Sequence, residues 1–234
     1  MTQRTGNAQQ GAVAVARRFA ACMGIMACIV LASCSSETEH AGGEPAAGSR
    51  LASNLTEYMN ARIADSSLSE YQRTILESSA ESGHIAVSDY ERAWDEYRNC
   101  MYAHGYSEIN LVKFSNGMYV EAPIEGGTES QIQQYNLDMQ QCAAEYVSVI
   151  DTVFGLQQGN PNLYADQDVA IVDCFHRSDL VPKDYTVERY RQERSDQQYS
   201  IDINNPGIRS CEVANKRIRF DVSDPNTPVE HPFS

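Results

Sequence analysis

The sequence predicts a mainly α fold with one β-hairpin, an α+β domain whose helices are stapled by disulfides. Three observations carry this. From Leu51 onward, apolar side chains recur every three or four residues through most of the chain, the period of a helix with one buried face. An Asn116-Gly117 dipeptide sits between two β-prone runs. Four cysteines remain in this part of the chain, Cys100, Cys142 and Cys174 on predicted helices and Cys211 in a short segment near the end, an even number that suggests disulfides.

Leu51, Leu55, Tyr58, Met59 and Ile63 share a helical face, and Leu68, Tyr71, Ile75 and Leu76 continue a stripe as far as Gly83. Ser67-Leu-Ser-Glu70 fits a capping box, in which the first side chain satisfies a free N–H of the first turn. The stretch 51–82 is therefore two helices or one broken helix. A second box, Ser88-Asp-Tyr-Glu91, opens a helix that sets Tyr90, Trp94, Tyr97 and Met101 on one side and ends at Gly105. Residues Ile109 to Ala122 read as a hairpin. Asn-Gly tolerates φ > 0 at both turn positions, as a type I′ turn requires.

Thr128-Glu-Ser-Gln131 caps the longest helix, about 129–154, with Tyr135, Met139, Cys142, Tyr146 and Ile150 along one side. Gly155 to Leu163, GLQQGNPNL, interrupts the pattern and marks an internal boundary. A helix over about 166–177 holds Val169, Val172 and Phe175, with Cys174 near its end, and a charged helix follows over about 186–195. NNPG at 204–207 precedes a short segment around Cys211, and the tail from Asp221, with three prolines, is expected to be irregular.

Four cysteines allow three connectivities. Neighbour pairing, Cys100–Cys142 and Cys174–Cys211, lets each bridge bracket one self-contained stretch, and Cys142 on the buried stripe can meet Cys100 with the hairpin as connection. In the chain-entropy model a loop of ~40 residues closed this way is worth about 4 kcal/mol. Free buried thiols and a zinc site are the alternatives. NCMYAHGY (99–106) and DCFHRSDL (173–180) each end a helix on Cys and a bulky apolar residue, an echo that two small related modules would explain.

The first 18 residues hold Arg4, Arg17 and Arg18 and no acidic group, and Phe19 to Ala32 is an apolar run of 14 residues. As a helix it would reach roughly 21 Å, short of the ~20 residues needed to span a bilayer. A basic start, a short apolar core and small residues at its end are the features of a secretory signal peptide. The Leu31-Ala32-Ser33-Cys34 ending, followed by Ser35-Ser36, resembles the lipobox of bacterial lipoproteins. That resemblance implies Sec export, transfer of a diacylglyceryl group to the Cys34 thiol, and cleavage before it. Two acyl chains hold stably where one binds reversibly. The layout of helix-borne cysteines also looks like that of many small exported proteins of actinobacteria.

The expected organisation is a leader over 1–33, the lipidated Cys34 and a flexible tether to residue 50, a helical module with the hairpin over 51–159, and a smaller Cys-paired module with an irregular tail over 160–234. The tether, SSETEHAGGEPAAGSR, is rich in Ser, Gly, Ala and Glu and builds no core. Loss of the leader leaves 15 basic residues against 32 acidic ones, a side-chain balance of −17. That charge works against nucleic acid and anionic lipid surfaces.

Few residue patterns point to chemistry. Cys100, His104, Cys174 and His176 could be drawn as a zinc set, but exported thiols are normally oxidised. DINNPG (202–207) and DVSDPN (221–226) hint at calcium loops, yet each has proline at its fifth position, and both are better read as turns. There is no Gly-x-Ser-x-Gly elbow, Walker loop, Gly-x-Gly-x-x-Gly run or His-Glu-x-x-His. Most of the 13 tyrosines fall on helical stripes. Tyr106, Tyr119, Tyr164 and Tyr199 do not, and are the first candidates for a ligand-binding surface. The expectation is a lipid-anchored extracytoplasmic binding or accessory protein. It would act without a cofactor, with the membrane and an envelope protein or glycan as partners and no catalytic residues. A cell-wall-acting hydrolase and a purely structural interaction protein are the competing classes.

Overall fold

The computed structural model describes residues 48–220 and 227–233. The leader, Cys34 and all but the end of the tether lie outside the described residues. Among the described residues the chain forms eight helices and one two-stranded antiparallel hairpin, the predicted class.

Helix α1 (Leu55–Ile63) starts at Asn54, whose side chain accepts the Glu57 N–H at 2.9 Å. Helix α2 (Glu70–Ser82) is capped by Ser69 rather than by the expected Ser67, which turns back onto Asp65 instead. Gly83, at φ 78°, ends α2 in a conformation that glycine adopts without strain. Helix α3 (Val87–Ala103) begins at Ala86 with no side-chain cap, so the box expected at Ser88 does not form. The box at Thr128 and Gln131 does form and opens α4 (Glu129–Tyr146).

The long helix expected over 129–154 is two helices, α4 and α5 (Ser148–Gly159), broken at Val147. The cause lies in α2. The buried Gln72 amide donates to the Ala144 carbonyl at 2.6 Å, and its oxygen accepts the N–H groups of Val149 and Ile150 at 2.7 and 3.3 Å. One side chain thus satisfies backbone groups that a helix break leaves open. Conversely, Gly155 does not interrupt α5.

Strands β1 (Leu111–Lys113) and β2 (Tyr119–Glu121) pair with Val112 opposite Val120. Their connection differs from the expected type I′ turn: Gly117 has φ 83° while Asn116 stays at negative φ. The Gly117 N–H bonds to the Phe114 carbonyl at 2.9 Å, making a four-residue turn closed by a left-handed glycine. Helices α6 (Gln167–Arg177), α7 (Val187–Asp196) and α8 (Pro206–Ala214) start at Asp166, Thr186 and Asn205, each capping through its side chain. The segment around Cys211 is therefore helical, with Pro206 at its first position, where a missing N–H costs nothing.

Both disulfides have the neighbour pairing. Cys100–Cys142 ties α3 to α4 with Cα atoms 5.8 Å apart, and Cys174–Cys211 ties α6 to α8 at 5.7 Å. Each lies in its own apolar cluster. One gathers α1 to α5 and the hairpin around Tyr90, Tyr97, Tyr135 and Phe154; the other gathers α6 to α8 around Phe175, Tyr185 and Tyr190. Val213 and Ala214 of α8 belong to the first cluster, so α5 and α8 pack across the junction at residue 159. The described residues cluster as one unit. Among the described residues no helix is long and apolar enough to cross a membrane.

The apolar cavity and its carboxyl cluster

A cavity of ≈ 460 Å³ opens beside the hairpin. Helix α3 supplies Trp94 and Tyr97 because its buried stripe continues past the core toward β2. The hairpin contributes Met118, Tyr119, Val120 and Glu121, and α4 contributes Met139, Gln140 and Ala143. The start of α5 and the residues leaving α8 complete it with Val147, Val213, Ile218 and Phe220. This size and largely apolar, aromatic lining are those of small-molecule sites.

Tyr119 is held in the wall from two sides. Its ring stacks on Tyr90 with centroids 6.0 Å apart, and its N–H donates to the Tyr90 hydroxyl at 2.9 Å. Tyr90 in turn donates to Asp151 at 2.9 Å, and Lys216 pairs with the other Asp151 oxygen. Burial, reinforced by the Asp151 charge, holds the Tyr90 phenol well above its ordinary range, so it stays a donor. The indole N–H of Trp94 is buried without a hydrogen-bond partner.

Behind the cavity lies a cluster of two phenols and two carboxyls. Tyr97 and Tyr135 both donate to Glu121, and the Tyr135 hydroxyl also meets Glu230. Glu230 is 1 % exposed, and its second oxygen accepts the Asn110 N–H at 3.0 Å. Tyr135 has one hydroxyl proton and cannot serve two carboxylates at once. The arrangement closes when Glu230 carries a proton of its own. Consistently, burial and the neighbouring Glu121 charge push Glu230 up to about 7. Its backbone is pinned as well: Glu230 N–H bonds Pro123 O at 3.0 Å, and Glu125 N–H bonds Glu230 O at 2.9 Å. The proline-rich end expected to be irregular is thus strapped to the residues after β2.

The four candidate tyrosines do not meet on one surface. Tyr119 alone among them lines the cavity. Tyr106 packs edge-on against Tyr135 and Phe233 and donates to Asp138 at 2.7 Å, making it part of the core margin. Tyr164 lies under the Arg50 guanidinium, whose carbon is 5.8 Å from the ring centroid. Tyr199 is half-buried beyond the end of α7. All four are half-buried rather than exposed. Trp94, Tyr97, Glu121 and Glu230 were the residues that sequence patterning left unassigned to a site.

The zinc set drawn from the sequence does not assemble. Cys100 and Cys174 are each in a disulfide, and His176 Nε2 faces the Tyr185 carbonyl at 2.8 Å. His104 does lie near the Cys100–Cys142 pair, but bonded sulfurs offer no thiolate to a metal. Asp202 and Asn205 form a turn, with the Asn205 N–H on the Asp202 carbonyl at 3.0 Å. Comparison with protein-family models, with curated proteins and with solved structures finds no match for this chain.

Proposed function

We propose that this is a lipid-anchored extracytoplasmic protein of the cell envelope that acts by binding, with the cavity beside the hairpin as its site. The cavity carries the binding half of this reading: a space of ≈ 460 Å³ walled by aromatic, methionine and aliphatic side chains. The anchor half rests on the lipobox-like run ending at Cys34 and agrees with the two disulfides, which belong to oxidising compartments. A glycan would call for many convergent polar groups, and this lining has few, so an apolar ligand fits it better.

Glu121 and Glu230 favour a second reading, hydrolysis of a wall polymer, since a carboxyl with a raised pKa beside another is a common acid–base arrangement. The geometry supports it less well. Glycosidic carboxyls flank a scissile bond at about 5 Å or more, whereas one phenol occupies the space between these two. Glu230 is sealed behind that phenol.

The binding half is tested with N-phenyl-1-naphthylamine, an uncharged dye excited by energy transfer from Trp94, the only tryptophan in the chain. Saturable transfer that Ala143→Phe abolishes supports the cavity, and no transfer at any dye concentration overturns it. The anchor is tested by Cys34→Ser, which should lose both labelled acyl incorporation and membrane retention. A Cys34→Ser chain processed and retained like the parent would overturn it.

A further inference from the structure

Resting on that binding reading, we infer that the cavity takes an uncharged long-chain apolar molecule, of the alcohol or acylglycerol kind, and discriminates against fatty-acid anions. The argument begins with the charges. Among the described residues three charged side chains touch the cavity: Glu121, Asp151 and Lys216. Each is already engaged. Glu121 receives the Tyr97 and Tyr135 hydroxyls, and Asp151 receives the Tyr90 hydroxyl and Lys216. Among the described residues no cation at the cavity is left free to neutralise a carboxylate head, and the balance of the three is one negative charge, which repels it. Glu121 receives neutral phenols rather than a cation, so its charge is not cancelled and an ammonium is not repelled as a carboxylate is. A carboxylate head entering here would lose its hydration without gaining a partner, the costly case for burial.

The apolar wall specifies the rest. Met118 and Met139 face the space from the hairpin and from α4, and their unbranched thioethers adapt to a flexible chain. Trp94, 9 % exposed, gives a flat wall at one side. Ile218, 49 % exposed, extends the apolar lining to the rim, where the exposed Gln140 can meet a hydroxyl or ester. An amphiphile with a neutral polar end therefore matches both the wall and the mouth.

The experiment compares three ligands of one chain length, oleyl alcohol, oleate and oleylamine, each below its aggregation concentration, for displacement of N-phenyl-1-naphthylamine from the full-length protein. Oleyl alcohol should displace the dye and shift Trp94 emission, with oleate weaker by about tenfold or more and oleylamine bound better than oleate. Ala143→Phe should abolish both signals with its circular dichroism unchanged. If that variant does not fold, Ile218→Asp at the exposed rim should weaken oleyl alcohol while leaving the melting temperature unchanged. Oleate bound as tightly as oleyl alcohol, or oleylamine bound no better than oleate, overturns the ligand class and leaves the binding reading intact, as does dye binding that no oleyl compound displaces. Undiminished oleyl alcohol affinity in a folded Ala143→Phe or Ile218→Asp variant overturns the placement in this cavity. Absence of dye binding overturns the binding reading itself.

Discussion

Glu121 and Glu230 meet on a single hydroxyl, that of Tyr135, although they stand on β2 and on the C-terminal strap. The shared phenol makes the strap's attachment a matter of proton count. Glu230 sits at about 7 in the fold against an ordinary 4.5, so the folded state holds this proton more tightly than the unfolded chain. Its contribution is whole below about 4.5 and is lost as pH rises to about 7, by an amount on the order of 3 kcal/mol. Urea denaturation of the parent should show stability declining over that window. Glu230→Gln, whose amide can donate to the Tyr135 hydroxyl oxygen and still accept the Asn110 N–H, should flatten it. An equal slope in both proteins would refute the assignment.

The acid side has a different origin. Although burial opposes it, hydrogen bonds from Ser200, Tyr185 and Arg189 hold Glu193 down at about 2. A lowered folded pKa gives stability that is present above the unfolded value and lost as pH falls toward 2. Glu193→Gln should therefore be less stable than the parent at neutral pH and converge with it in strong acid. Thermal melts at pH 2 and pH 6 separate these outcomes.

Gly155 and Gly159 let α5 lie directly on α8. A Cβ on Gly155 would stand 2.7 Å from the Ala214 carbonyl oxygen, and one on Gly159 would stand 2.4 Å from the Ala214 Cβ. Alanine gains about 1 kcal/mol in helix propensity over glycine, but overpacking costs roughly 1–3 kcal/mol, and here a backbone must move. Gly159→Ala should thus be destabilised by about 1–2 kcal/mol net, read as a lower melting temperature. A stabilised Gly159→Ala variant would show that the two helices are free to separate.

These glycines mark where sequence patterning stopped being informative. Helix stripes and the cap at Thr128 follow from local spacing, because each involves near neighbours or one amphipathic face, and pairing each cysteine with its neighbour in sequence gives both disulfides. Gly155 carries the same letter whether it ends a helix or admits a partner, and only the position of Ala214 decides. The break at Val147 depends on Gln72, more than seventy residues earlier. Of the site, the aromatic content was visible, but the pairing of Glu121 with Glu230 joins a hairpin to the chain's far end, and no local period reports it. Tyr119 was legible as off-stripe, while Trp94 and Tyr97 read as ordinary core.

Asp168 is 8 % exposed and receives three arginines: Arg217 at 2.7 Å, and Arg191 and Arg194 both at 3.1 Å. Arg191 and Arg194 are more than a third exposed and screened by water, so Arg217, at 15 %, has the most to lose. Asp168→Asn leaves it buried without its counter-charge and should cost roughly 3 kcal/mol in urea denaturation. Arg191→Gln should cost little. Equal effects of the two would show that burial does not set the difference.

Reduction should reach the two clusters separately. Each bridge closes a loop of about 40 residues and is worth about 4 kcal/mol in the chain-entropy model. Cys100→Ser with Cys142→Ser loosens α3 from α4, two walls of the cavity, and should weaken dye binding as well as stability. Cys174→Ser with Cys211→Ser should lower stability with less effect on the dye. Thiol titration of the parent should find reactive groups among these four cysteines only after reduction.

Gln72 also imposes an order of assembly. By its own pattern the stretch from Glu129 onward reads as one continuous rod, and the bend at Val147 is written in a side chain made much earlier. A chain synthesised from its N-terminus presents that amide first, so the template already waits when the rod arrives. Circular permutation that delivered α2 last would reverse the sequence of events and leave the rod to straighten before its bend could be set.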